Sequence, residues 1–287
     1  MQADELVSWA TLLPKFREVL LKLRSLGLHV SDTSRWKKYE GYFEEALRDP
    51  EAPLAEWLVL SLAFAVREAD EMIEILTHVP DPADSATLKL LREVVKGTPM
   101  PDDEKSAPGR ENQYELYLGT VLRQAGISAC HGNPDLAATF DGHTYFIEAK
   151  RPSSLSRVDD RVRSAMKQIR RLGKPGIIAV CLDQVIRPPR GLLFVRHFSD
   201  LAPAVAQLVD EFVIKTARIW RSRVDPELIG GVLMTARVPA QIIASGHLAI
   251  GTNHRIELFG DEPREPSKFL AAVVAAYLRA QKSGGAA

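Results

Sequence analysis

Cysteine is scarce in this chain of 287 residues, which holds two, Cys130 and Cys181. Two cannot build a disulfide framework or a four-cysteine zinc site, and no Cys-x-x-Cys pair occurs, so a reducing compartment is expected. Long apolar runs are missing as well. The longest, Trp57 to Val66, is too short to cross a bilayer. The first residues include Asp4 and Glu5 and lack a basic stretch followed by an apolar one, so they do not read as a signal peptide. The expectation is a cytoplasmic protein with no membrane partner. Three signatures are also absent: a Gly-x-x-x-x-Gly-Lys-Ser/Thr loop for ATP phosphates, a Gly-x-Ser-x-Gly elbow, and any zinc-ligand spacing.

Net charge is zero, with 37 basic and 37 acidic residues, but the two signs are separated. Residues 1–105 carry 13 Lys/Arg against 20 Asp/Glu, and residues 106–287 carry 24 against 17. Such asymmetry points to two functional parts, of which the basic one suits a polyanion.

Residues 1–96 read as helical. Leu6, Trp9, Leu12, Leu13 and Phe16 recur at three- and four-residue steps, continued by Val19, Leu20 and Leu23. Pro14 predicts a kink or break there. Further helices are expected over 34–47, 53–78 and 84–95. The stretch Gly97 to Gly109 is rich in Pro, Gly and charge, as linkers are. The expected division is a helical accessory domain over 1–100 and a second domain over 107–287, with a core at 107–185 and an extension at 190–287. After the linker, helices alternate with strands: a helix over 110–125, strands over 127–131, 136–140 and 144–150, a basic helix over 156–172 and a buried strand over 176–182. Strands near 192–195, 230–238 and 247–258 and helices near 200–220 and 266–279 follow. The class is α/β (α+β) with a mixed sheet flanked by helices.

The segment from Pro134 to Lys150 carries the chemistry. Asp141-Gly142 signals a two-residue hairpin turn. With Phe140 and His143 as the flanking pair, Asp135 falls opposite Glu148, and directly opposed side chains share a face. Lys150, two residues on, lies on that face too. The other face carries Leu136, Ala138, Phe140, Tyr145, Ile147 and Ala149, so a one-residue slip would bury charge. Two close carboxylates suit a hard divalent cation such as Mg²⁺, which can polarise a phosphate and acidify a water. A neighbouring lysine can stabilise developing negative charge.

Pro-Asp, a hairpin and then Glu-x-Lys resemble the signature of the PD-(D/E)XK nuclease superfamily. The elements expected from Arg110 to Leu182 follow the α-β-β-β-α-β order of its restriction endonuclease-like core. The resemblance covers roughly residues 107–185. It implies Asp135 and Glu148 as metal ligands for Mg²⁺ or Mn²⁺ and Lys150 as the catalytic lysine. It further implies an acid on the first core helix that helps hold the metal, for which Glu115 fits, and a glutamine on the helix after the third strand, for which Gln168 is the candidate. Glu111, one turn before Glu115, competes for the helix role, although a first-turn acid also suits the helix dipole. His131 reads as structural.

From Glu148 to Lys174 there are nine Lys/Arg against three acids. A charge run is often only a solvated face, but this one adjoins the carboxylates. Arg151, Arg157, Arg161, Arg163, Lys167, Arg170 and Arg171 are therefore candidate phosphate contacts. The reading is a metal-dependent DNA endonuclease, which by analogy alone extends to restriction or phage defence. The helical domain is expected to support a homodimer or bind a partner protein. Two alternatives remain: a catalytically silent nucleic-acid-binding or assembly subunit, and a ribonuclease.

Overall fold

The computed structural model describes residues 5–6, 9–48, 55–79, 82–99, 107–174, 176–188, 191–259 and 268–275. Four helices follow a two-residue strand at Glu5–Leu6: α1 (Trp9–Ser25), α2 (Arg35–Arg48), α3 (Glu56–His78) and α4 (Ser85–Val94). Helix α1 runs through Pro14 without the expected break. The helix is held instead by its apolar stripe, since Leu12, Leu13, Phe16, Val19, Leu20 and Leu23 are all buried, and that burial outweighs one lost backbone hydrogen bond. Asp84 caps α4, its carboxylate accepting from the Thr87 N–H at 2.8 Å.

The first strand was not anticipated. Residues Glu5–Leu6 form β1, which pairs with β8 (Leu248–Leu258), so Leu6 belongs to the sheet and not to the helical stripe. The sheet has eight strands. Besides β1 and β8 these are β2 (Ser128–His131), β3 (Leu136–Phe140), β4 (His143–Lys150), β5 (Gly176–Cys181), β6 (Leu193–Val195) and β7 (Ile229–Ile242). The order is β1-β8-β7-β5-β4-β3-β2, with β6 also on β7. The β4–β5, β5–β7 and β6–β7 pairs are parallel and the others antiparallel. The chain is thus mixed α/β, with its helices concentrated at the N-terminus and a mixed sheet after them.

Helix α5 (Ala107–Gln124) and the helical residues 268–275 cover one face of the sheet. Tyr114, Leu118, Val121 and Leu122 of α5 pack on Leu136, Ala138, Tyr145, Ile147 and Ala149, the face anticipated from alternation. Phe269 stacks on Tyr145 with ring centroids 4.4 Å apart. Helices α6 (Val158–Leu172) and α7 (Leu201–Arg223) cover the other face through Val162, Met166, Ile169, Val205, Phe212 and Trp220.

The core of the helical half, around Phe16, Trp36, Phe43 and Met72, runs on into Leu116, Leu192, Leu248 and Ile250 of the second half. Arg110 of α5 donates through Nε to Glu68 Oε1 of α3 at 2.7 Å, and Arg35 Nη1 and Tyr39 Oη donate to Glu68 Oε2, both at 2.9 Å. Gln113 Nε2 donates to Glu71 Oε2 at 2.7 Å. The flanking arginines outweigh the cost of burial and hold the Glu68 carboxyl far below the usual carboxylate range. The middle of the expected linker, residues 100–106, lies outside the described residues, and Ala107 to Gly109 already belong to α5.

Candidate active site

The site is built at one end of a hairpin. Asp141 and Gly142 both have positive φ, 49° and 75°, as a two-residue turn of this kind requires. The register runs from Phe140↔His143 to Leu136↔Ile147, and Asp135 stands one residue beyond β3, beside Glu148.

Lys150 joins the two carboxylates. Its Nζ donates to Asp135 Oδ2 at 2.9 Å and to Glu148 Oε2 at 2.8 Å. The Ala149 N–H donates to the same Asp135 oxygen at 2.9 Å, so backbone and side chain both fix that carboxylate. Glu148 is fully buried, and Lys150 is 8% exposed. Burial pushes the Glu148 carboxyl up to about 7, with the Asp135 charge adding to the rise and the Lys150 ammonium opposing it. Burial also disfavours the Lys150 ammonium, but Asp135 and Glu148 together hold it above its usual value.

Helix α5 brings two acids alongside. Glu115 Oε1 lies 3.1 Å from His131 Nδ1, and Glu111 Oε1 lies 3.1 Å from Arg161 Nη2 of α6. Burial raises both carboxyls. His131 opposes the rise at Glu115 and Arg161 opposes it at Glu111, and both acids feel Asp135 and Lys150. His131 thus anchors Glu115. Gly119 makes room for it, since a Cβ there would stand 2.8 Å from the imidazole. No sequence pattern pointed to Gly119. A helix glycine is otherwise only a weak position.

Other expected residues are placed differently. Gln168 lies on the face of α6 that carries Arg161, but two turns or about 10 Å further along. Its Oε1 accepts from Ser164 Oγ at 3.4 Å, and among the described residues no hydrogen bond joins it to the carboxylates. Arg151 is a correction. It is 2% exposed, and its Nη1 and Nη2 donate to Glu71 Oε2 at 3.1 Å and Asp183 Oδ2 at 3.0 Å, so no external phosphate can reach it. Arg157, Arg163, Lys167, Arg170 and Arg171 are exposed, and Arg161 is partly so. Arg163 and Arg170 engage Asp159 and Asp225.

The donor set can be tested against a cation. Glu148 Oε1 is buried and receives no hydrogen bond, a costly state for a carboxylate oxygen that a cation would relieve. Among the described residues no three or more His, Cys, Asp and Glu side chains converge as ligands. The protein's share would thus be the Asp135 and Glu148 carboxylates, without Glu115, which was expected to help hold the metal but is turned to His131 at 3.1 Å. That fits Mg²⁺ or Mn²⁺, which commonly keep water and phosphate oxygens in their remaining positions.

Fold and site define an α/β chain with a lysine-bridged carboxylate pair at the end of a sheet hairpin. No family model, curated protein or solved structure matches it. No helix among the described residues is long and apolar enough to cross a membrane.

Proposed function

We propose that this chain is a divalent-metal-dependent nuclease that hydrolyses phosphodiester bonds in DNA, on a restriction endonuclease-like core. The observation that carries the reading is Lys150 Nζ hydrogen-bonded to Asp135 and Glu148 at once. The order of α5, β2, β3, β4, α6 and β5 supports it. Asp135 and Glu148 would hold Mg²⁺ or Mn²⁺, which when bound supplies polarisation of a phosphate oxygen and a more acidic water. Lys150 keeps its proton and presents a localised positive charge where the phosphate gains negative charge. Glu115, oriented by His131, and Glu111, tied to Arg161, add negative potential beside the pair. The exposed cations of α6 hold the flanking phosphates.

A second reading has one observation behind it. Among the described residues only two carboxylates converge, and both are already tied to Lys150, which suits a silent nucleic-acid-binding or assembly subunit. Supercoiled plasmid incubated with Mg²⁺ or Mn²⁺ decides between them. Cleavage by wild type, lost in Glu148→Ala and Lys150→Ala, supports the nuclease. Equal cleavage by all three proteins removes these residues from the reaction, and no cleavage by any favours the silent subunit. Competition by RNA in the same assay separates a ribonuclease from a deoxyribonuclease.

A further inference from the structure

A cleft of about 480 Å³ opens between α6 and α7, lined by Asp159, Lys215, Arg218, Ile219, Ser222 and Arg223. Lys215, Arg218, Ile219 and Ser222 recur at three- and four-residue steps, so they share one face of α7. From Phe212 to Arg223 that helix holds four cations and no acid. Helix α6 contributes Asp159 to the lining, and Arg163, one turn further on, reaches the same carboxylate. A solvated helix face usually interleaves the two signs. Here Asp160 lies 3.8 Å from Arg163 and Glu211 lies 3.6 Å from Lys215 at the margins, while Arg163 of α6 and Arg223 of α7 meet on the Asp159 carboxylate.

That carboxylate is already committed. Asp159 accepts from Arg223 Nε at 2.7 Å and Nη2 at 3.1 Å, and from Arg163 Nη2 at 2.6 Å. It orients two guanidiniums without neutralising the cleft. Lys215 lies 3.6 Å from Glu211 yet is 62% exposed in its side chain. Arg218 is exposed and meets no acid among the described residues. Asp159 is two residues from Arg161, which reaches Glu111 from the opposite flank of α6. One helix width, about 10–12 Å, separates the two.

We infer that this cleft seats the sugar–phosphate backbone of duplex DNA, a choice of polyanion that rests on the nuclease reading. Lys215, Arg218, Arg223 and Arg163 contact phosphates, and the backbone crosses the first turn of α6 to reach Asp135 and Glu148. A duplex fits better than a single strand because, among the described residues, no aromatic ring lines the cleft, and single strands are commonly held by stacking bases on such rings. The C-terminal region thereby gains a role as the second half of the substrate surface.

Anisotropy of a labelled duplex in EDTA tests this without cleavage or metal. Lys215→Ala/Arg218→Ala should bind about tenfold more weakly. Its slope of log K against log salt should fall by about 1.8, from two phosphate contacts at about 0.9 each. Lys89→Ala/Arg92→Ala, equally exposed on α4, should keep the wild-type slope. An unchanged slope and affinity in the cleft variant overturns the inference, as does preference of the cleft for single-stranded DNA or duplex RNA. Cleft-dependent binding by a wild type that cuts nothing supports the cleft and removes the nuclease. Cutting by wild type and by the cleft variant alike, with equal binding, does the reverse.

Discussion

Arg151 Nη1 donates to Glu71 Oε2 at 3.1 Å across 80 residues of sequence, tying the end of the strand that carries Glu148 and Lys150 to a helix of the N-terminal half. Both side chains are at most 1% exposed. The second Arg151 nitrogen holds Asp183, whose other oxygen accepts from the Arg237 N–H at 2.8 Å. The Glu148-x-Lys150 strand therefore ends inside a buried ionic lattice that both halves of the chain build.

Removing one partner of a buried pair strands the other charge in low dielectric. Glu71→Ala should cost about 3–5 kcal/mol, read as a lower midpoint in urea unfolding. Asp160→Ala serves as the contrast. Its carboxylate is 58% exposed and lies 3.8 Å from Arg163, so its loss should cost less than about 1 kcal/mol. Equal midpoints for Glu71→Ala and wild type would mean that the lattice does not hold the two halves together.

The raised Glu148 carboxyl sets a pH dependence. Burial lifts it from 4.5 to about 7, so within that window the folded protein keeps a proton that the unfolded chain has released. Metal-free stability should then fall as pH rises from about 4.5 to about 7, by about 3 kcal/mol in all. Glu148→Gln cannot ionise and should flatten the decline in denaturant titrations run in EDTA. A cation at this carboxylate competes with the proton, so the Mn²⁺-induced rise in Tm should be larger at about pH 8 than at about pH 6. Asp135→Ala should abolish that rise. A Mn²⁺ effect that ignores both pH and Asp135 would place the ion elsewhere.

The hairpin was legible because its information is local. The Asp141-Gly142 turn and the apolar set from Leu136 to Ala149 admit one register, and that register alone brings Asp135 to Glu148. Arg151 was misread for the opposite reason. Its neighbours in sequence are a run of exposed cations, while its acids, Glu71 and Asp183, lie 80 and 32 residues away. The β1 strand was hidden because two residues carry no period, and it exists only through its pairing with Ile250 and Ala249. Pro14 misled because the stripe around it buries more than the proline disrupts.

The Glu115–His131 contact supplies a last test, through the glycine beside it. A Cβ at Gly119 would meet the His131 imidazole at 2.8 Å and Leu136 Cδ2 at 3.2 Å. The ring cannot retreat freely, since its Nδ1 is held to Glu115 and its side chain is 2% exposed. Gly119→Ala should therefore overpack the site and cost about 1–3 kcal/mol, against the modest gain that alanine usually brings to a helix. In a His131→Ala background the main clash is gone, and the same substitution should cost little or stabilise. Urea unfolding of the wild type, the two single variants and the double variant closes the cycle, and a coupling above about 0.5 kcal/mol is expected. Strict additivity would mean that the imidazole does not occupy the space beside Gly119. Glu115 would then lose the anchor that holds it near Asp135.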